Sequence, residues 1–402
     1  MWKCVRCNKE NQDSEEKCIN CGHGKAMDYT GHRSVSRLRT EVMNNWKKKK
    51  EKPMLMADWI ANDEQNGTVL GSRFLRREVC EIDFVKMNLK NIPSGAWEVS
   101  EDIYGTIWAW ASREADGMIA LKIGSENGVY ANVNCSNLFR GYSNVRKIEF
   151  NNLFDTSRTT DMRGMFSGCE KLKNVDVSGF ETKHVEDMAF MFFGCKALSE
   201  LDVRKFETNK VDSMMYMFCD CENLKRLDVS GFDTGCVEDM EGMFWGCKSL
   251  TELAVSGFKT SNVESMASMF HNCENLRKLD VSRFDTGCVE DMESMFDGCK
   301  ALTELDVSGF KTDKVESMTS MFFDCENLKK LDVSRFETSG VEFMAKMFWG
   351  CKALKELDVS GFKLDKVQNT DLMFYDCGVL GNPDIENFID TLRIRDILSG
   401  RG

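Results

Sequence analysis

The chain has 402 residues, 42% hydrophobic and 29% charged, with a net charge of −12. That balance excludes an extended disordered chain, and no apolar run of eighteen residues offers a transmembrane helix. The charge is uneven: residues 1–53 hold thirteen Lys/Arg against seven Asp/Glu, a surplus of six positive charges, so the rest carries −18. Met1 is followed by Trp2 and Cys4 with no apolar run, so no secretion signal is expected. Four of the eighteen cysteines form a metal pattern and nine recur at one repeat position. A reduced, cytoplasmic compartment is the simpler expectation than a disulfide framework.

Residues 1–26 predict a zinc finger. Cys4, Cys7, Cys18 and Cys21 form two Cys-x-x-Cys turns. Two such turns bring four thiolates to one ion in a closed tetrahedron, so the predicted Zn2+ is structural and not catalytic. With Trp2 and Asn11 the spacing resembles the Ran-binding-protein type of zinc finger, and also the short zinc ribbons of bacterial proteins. The resemblance supports zinc and no particular ligand. Ubiquitin-binding members carry Thr-Phe where this chain has Asn8-Lys9, and RNA-binding members carry an arginine pair where it has Ser14-Glu15.

Residues 27–53 read as a basic helical linker. Arg33, Arg37, Arg39 and Lys47–Lys50 supply charge, and Val35, Leu38, Val42 and Trp46 recur at near-helical spacing over 34–50. Such a stretch contacts nucleic acid or an acidic membrane surface, or is simply a solvated linker. No aromatic platform is interleaved with its charges.

Residues 54–137 predict an α+β capping domain. Met54–Ile60 suggests a short helix. Strands follow at 82–85, 106–110 and 118–123, the last two joined by the turn cluster Ser112-Arg-Glu-Ala-Asp-Gly117 as a hairpin. Residues 138–153 then read as a half repeat, in which Leu138-Phe139 stands for Met-Phe and Tyr142 for a cysteine.

From Phe154 the chain repeats every 26 residues without insertion or deletion. The lead phenylalanines are Phe154, Phe180, Phe206, Phe232, Phe258, Phe284, Phe310, Phe336 and Phe362. A fixed period of this size marks an array in which each unit buries its apolar face against its neighbours. Counting each lead phenylalanine as position 0, apolar residues fall at 5, 8, 11, 12, 18, 21 and 23. The first half, as in Val289-Glu-Asp-Met292-Glu-Ser-Met295-Phe296, has steps of three and four and predicts helical turns with Thr286 as N-cap. The second half, as in Leu302-Thr-Glu-Leu305-Asp-Val307, predicts a strand. The expected fold class is α/β: a leucine-rich-repeat solenoid of 26-residue coils over 138–380 with one parallel sheet, closed by a C-terminal capping helix over 381–402.

The phrases Leu-Asp-Val-Ser-Gly-Phe-Asp-Thr and Met-Phe-x-Gly-Cys, with the lead-in Gly95-Ala-Trp-Glu-Val-Ser100 and Asn134-Cys-Ser-Asn-Leu-Phe139, resemble the BspA-like leucine-rich repeats of bacteria. The resemblance spans roughly residues 90–380. It implies protein binding, often at the cell surface, although the chain shows no export signal of the surface members.

Three ladders run along the repeats. Cysteine stands at position 15 from Cys169 to Cys377, and methionine at positions 8 and 11, starting with Met162 and Met165. Both read more simply as core than as chemistry. Aspartate stands at position 22, as Asp176, Asp202, Asp228, Asp280, Asp306, Asp332 and Asp358, broken by Ala254. These side chains are expected on a concave face, where stacked like charges repel by about 1 kcal/mol per neighbour even in water. Hydrogen bonds to the serines two residues on, such as Ser230 and Ser308, or a basic partner or cations would offset that. Positions 16 and 20 alternate in charge from coil to coil, so the unit of duplication is 52 residues.

None of the four histidines (His23, His32, His184, His271) pairs with a plausible nucleophile, and no phosphate loop follows a strand. The leading expectation is a non-enzymatic protein–protein interaction scaffold that binds its partner through the Asp-rich repeat surface. The alternatives are nucleic-acid association through the basic zinc-finger head and surface adhesion.

Overall fold

The computed structural model describes residues 2–3, 10–11, 52–55, 68–101 and 105–390. Strand β1 (Trp2–Lys3) pairs antiparallel with β2 (Glu10–Asn11), Trp2 opposite Asn11. Cys4, Cys7, Cys18, Cys21 and the helix expected over 34–50 lie outside the described residues.

A five-stranded mixed sheet precedes the repeats. It comprises β3 (Val79–Lys86), β4 (Trp97–Glu98), β5 (Trp108–Arg113), β6 (Ile119–Ser125) and β8 (Lys147–Glu149), in the order β4-β5-β6-β3-β8. β5 and β6 form an antiparallel hairpin, turned at Gly117 with φ +83°. β3 lies parallel to both β6 and β8, with Ile82 opposite Leu121 on one side and Ile148 on the other. Alternation on β3 sends Ile82 and Phe84 into the core. Two short strands, β7 (Val129–Tyr130) and β9 (Phe154–Asp155), pair in parallel. The helix expected at 54–60 does not begin as one: Met54 bridges Tyr130 and Leu55 bridges Ser100.

The repeats depart from the expected α/β solenoid in both halves. Among the described residues no repeat contains a helix. The stretch expected to be helical is a run of tight turns, as in Met292 C=O to Met295 N–H, Ser294 to Asp297 and Phe296 to Cys299. Position 10 and position 14 both take left-handed φ, as at Ser294 (54°) and Gly298 (70°). A left-handed residue every four positions breaks a right-handed helix. The apolar steps of three and four are also what consecutive four-residue turns produce, so spacing alone could not separate the two.

The freed N–H groups point to the next coil. At every junction the amides of positions 8, 10, 12 and 14 donate to the carbonyls of positions 7, 9, 11 and 13 of the following coil; Met292, Ser294, Phe296 and Gly298 donate to Ser317, Thr319, Met321 and Phe323 at 2.8–3.1 Å. This is the continuous ladder of the molecule, and it lies in the half-coil where helix was expected. The half where one parallel sheet was expected is mostly unpaired. Two-residue strands β10 (Glu252–Leu253) and β11 (Lys278–Leu279) pair in parallel, and Lys330 bridges Glu356. Leu-x-x-Leu-x-Val therefore reports which side chains face inward, as the burial of Leu305 and Val307 shows, and not a strand ladder.

Inside the coils, the position-12 phenylalanines stack face on face from Phe139 through Phe166, Phe192 and onward to Phe374, with centroids 5.3–5.8 Å apart. Such aromatic pairs add about 0.5–1.5 kcal/mol beyond their buried area. The cysteine and methionine ladders are core: Cys299 and Met295 are fully buried, and the Cys299 thiol donates to the Phe270 carbonyl of the preceding coil. Thr286 is not an N-cap. Its buried hydroxyl donates to the Lys311 carbonyl at 2.8 Å and accepts from the Lys311 amide at 2.7 Å, stapling one coil to the next. The same staple recurs at Thr156, Thr234, Thr312 and Thr338.

At the C-terminal end the expected capping helix over 381–402 is described only as a short one, over 383–390. The Asn382 side chain accepts from the Asp384 amide at its start, and Phe388 packs edge-on against Phe362 and Phe374.

Candidate partner-binding faces

The seven ladder aspartates are all exposed. Each accepts from the backbone two residues on, as an Asx turn: Asp228 from Ser230, Asp280 from Ser282, Asp306 from Ser308, Asp332 from Ser334, and Asp176 and Asp358 through the Ser178 and Ser360 amides. At Asp228, Asp280, Asp306 and Asp332 the serine hydroxyl adds a second bond of 2.6–2.7 Å. Asp202 instead takes a bidentate pair from Arg204, at 2.9 and 2.7 Å. These bonds hold the carboxyls of Asp176, Asp228, Asp280, Asp332 and Asp358 below their ordinary range, and the Arg204 side chain brings Asp202 down to about 2. Much of the bonding capacity of this row thus closes turns within its own coil.

The row is not one site. Asp176, Asp202 and Asp228 line a groove of about 1210 Å³ at the start of the repeats, together with Arg204 and Arg226. Asp280 borders a smaller groove, of about 530 Å³, beside Ala254 and Lys278.

A second face was not singled out from the sequence. Position 13 runs Ser167, Phe193, Cys219, Trp245, His271, Asp297, Phe323, Trp349, Tyr375. Because it follows the buried phenylalanine and precedes the left-handed residue, it turns outward, and six of these nine are aromatic or histidine. Phe193, Trp245, His271, Phe323 and Trp349 are half-buried and Tyr375 is exposed. With Phe190 and Tyr216 from position 10 they form two contiguous files. One runs Phe190–Tyr216–Trp245–His271 with centroids 5.3, 5.9 and 4.6 Å apart. The other runs Phe323–Trp349–Tyr375, at 5.4 and 4.8 Å. Tyr216 donates its hydroxyl to Glu241, and Arg163 and Lys346 lie over Phe190 and Trp349.

Asp297 separates the files. Burial, reinforced by Asp324, pushes its carboxyl up to about 7, and burial pushes His271 down. His271 Nδ1 lies 3.5 Å from Asp297 Oδ2, within ion-pair range, yet the atom is buried without a hydrogen bond of acceptable geometry. The pair is a polar break in an otherwise apolar row. The signal in the sequence was the variable position beside the constant Met-Phe: it changes from coil to coil yet stays aromatic.

The 52-residue period has a steric cause. From the second repeat on, position 14 alternates Gly194, Asp220, Gly246, Asn272, Gly298, Asp324, Gly350, Asp376. Every one has left-handed φ, which glycine, asparagine and aspartate accept best. A Cβ added at Gly298 or Gly350 would overlap Oδ1 of Asn272 or Asp324 in the preceding coil. The polar side chain of one coil fills the space the next leaves open. Position 16 follows the same beat, pairing Lys196–Glu170, Lys248–Glu222, Lys300–Glu274 and Lys352–Glu326 at 3.3–3.9 Å.

Among the described residues no cluster of His, Cys, Asp and Glu could hold a metal ion, and no helix is long and apolar enough to cross a membrane. A family described as "Mycoplasma protein of unknown function, DUF285" matches residues 133–227, 220–330 and 302–397, three tandem segments. That match corrects both resemblances. It is not to the BspA-like leucine-rich-repeat family, whose strand phrase lies in the half-coil that lacks the ladder, and no match to a zinc-finger family accompanies it. No curated protein and no solved structure matches the chain. The matched segments span well over half of the sequence, and the chain belongs to the DUF285 family.

Proposed function

We propose that this DUF285 chain is a non-enzymatic scaffold that binds a protein partner along the outward aromatic files of positions 10 and 13. The observation that carries the reading is the row of half-exposed rings from Phe190 to His271 and from Phe323 to Tyr375. Aromatic side chains lose little entropy on burial and dominate protein interfaces as anchors. Apart from the stacked Phe190–Tyr216 pair the rings are tilted by 39–52° to one another, so both faces and edges are offered to a partner's apolar and carbonyl groups. The Glu241 carboxylate, which accepts from the Tyr216 hydroxyl, borders the first file and favours a partner with basic residues.

A second reading keeps the partner on the aspartate row and rests on the groove shared by Asp176, Asp202 and Asp228. One experiment separates the two. The full chain is immobilised with Phe193→Ala, Trp245→Ala and Trp349→Ala combined, or with Asp280→Lys, Asp306→Lys and Asp332→Lys combined, after circular dichroism shows each folded. The aromatic reading expects capture of partner proteins to be lost in the first and kept in the second; the reverse moves the partner to the aspartate row, and capture kept in both rejects the two readings.

We further propose that Cys4, Cys7, Cys18 and Cys21 hold one structural Zn2+, on the support of their spacing. Metal analysis of the purified chain should give one zinc per chain, lost on Cys4→Ser; no zinc in the intact chain rejects the proposal.

A further inference from the structure

The backbone ladder of positions 8 to 14 has a direction. Every amide in it points to the following coil and every carbonyl to the preceding one. A stack so built resembles a helix in one respect: it ends in unsatisfied acceptors at the first coil and unsatisfied donors at the last.

The two ends are treated differently. At the acceptor end, Arg76 is buried and its guanidinium donates to the carbonyls of Asn137, at 3.0 Å, and of Arg140, while stacking over Tyr142 at 5.0 Å. Of these two carbonyls, Arg140 is a ladder acceptor at position 13, so the cation stands where one of a preceding coil's amides would be; Asn137 also accepts from the Arg140 amide within its own turn. At the donor end, the position-10, 12 and 14 amides belong to Leu372, Phe374 and Asp376. Their counterparts one coil earlier, Lys346, Phe348 and Gly350, donate to Asp371, Met373 and Tyr375 at 2.8–2.9 Å; among the described residues the Leu372, Phe374 and Asp376 amides find no acceptor. The helix over 383–390 packs Phe388 against the Phe362 and Phe374 rings, and Phe388 has no ring contact with Tyr375. Exposed apolar side chains gather at the same end: of six large ones among the described residues, Phe343, Leu372, Tyr375 and Leu380 belong to the last two coils and the turn that follows. Of the three, only Phe374 is a buried residue, where an unpaired amide is costly; an exposed apolar cluster beside it is uncommon in a monomer, and the two together point to a contact surface.

We propose that this open edge docks an extended, cationic segment of a partner protein. Alternate carbonyls of the segment would accept from the amides of Leu372, Phe374 and Asp376, its apolar side chains would cover Leu372 and Tyr375, and its basic ones would face the exposed Asp371 and compete with Lys352, 3.7 Å away, for Asp376. Alternate carbonyls of an extended chain point one way, which matches donors two residues apart. A second copy fits less well. Two donor edges cannot bond each other, and a head-to-tail stack would have to expel Arg76 from the acceptor edge.

The test uses the deuterated, 15N-labelled full chain and the peptide acetyl-Val-Lys-Val-Lys-Val-Lys-amide. Titration should shift the amide resonances of Leu372, Phe374 and Asp376 and slow their hydrogen exchange at least tenfold, while Lys346, Phe348 and Gly350 stay unchanged. Leu372→Lys with Tyr375→Lys should weaken the peptide at least tenfold, as should glutamate in place of its lysines. Trp245→Ala, on the aromatic face far from this edge, should leave binding intact, so failure here and failure of the aromatic reading are distinguishable. No shift at millimolar peptide overturns the proposal. So does slow exchange of the three amides in the free chain that is lost on deleting residues 391–402, because the chain's own tail would then be the occupant.

Discussion

Each coil is divided between two ways of satisfying a backbone. In positions 8 to 14, amides bond to the next coil, the rings of position 12 stack, and left-handed residues turn the chain every four positions. In positions 18 to 24, inter-coil pairing is sparse and the aspartate at 22 closes a turn inside its own coil. The first half couples neighbours and sets the 26-residue period. The second half faces inward through Leu and Val but contributes little backbone coupling. Repeats of one constant length are therefore cohesive along one side, and substitutions should be graded by which side they strike.

The largest effect is expected from the stacked rings. Phe270→Ala removes a fully buried ring between Phe244 and Phe296 and should cost about 3–5 kcal/mol in denaturant unfolding, spread over the neighbouring coils. A smaller loss is expected from the staple: Thr286→Val keeps the shape but deletes both bonds to Lys311 and should cost about 1–3 kcal/mol. Gly298→Ala should cost about 1–2 kcal/mol, because its φ is left-handed and Asn272 occupies the space, and pairing it with Asn272→Gly should recover part of that loss. On the other side, Asp280→Ala removes one turn closure from an exposed residue and should cost under about 1 kcal/mol.

The same comparison predicts opposite responses to pH. Asp228, Asp280 and Asp332 have depressed folded pKa values, so their contribution is present above the unfolded carboxylate value near 3.9 and is lost as pH falls through the folded values. Asp297, on the ladder side, is raised to about 7, so the folded chain holds its proton where the unfolded chain releases it, and stability falls as pH rises from about 4 to 7. Asp297→Asn should therefore flatten the upper part of the stability–pH curve and raise the melting temperature at pH 8 by roughly 2–4 °C. The triple Asp→Asn variant of the exposed row should flatten only its acid limb.

The uneven legibility of the sequence follows from the same division. Period, register and core were open to reading, because Phe, Val, Met, Leu and Cys at fixed positions can face only one way in a coil that never changes length. The secondary structure of the repeats was not, although the strands and hairpin ahead of them were. Steps of three and four are common to a helix and to consecutive tight turns, and the deciding feature, left-handed φ at positions 10 and 14, is hidden where Ser294, Tyr216 or Phe190 adopt it without being glycine. Position 14, always Gly, Asn or Asp, did carry that signal. The aspartate row was visible because it is constant; the aromatic files were missed because they vary. Arg76, whose partners on the half repeat lie more than sixty residues away, had no local signature of that role.

Hydrogen exchange read by mass spectrometry on the full chain tests the central division most directly. In interior coils the amides of 292–298 and 318–324 should exchange far more slowly than those of 304–308 and 330–334. Equal protection of the two halves, or slower exchange at 304–308 and 330–334 as a continuous parallel sheet there would give, would contradict it.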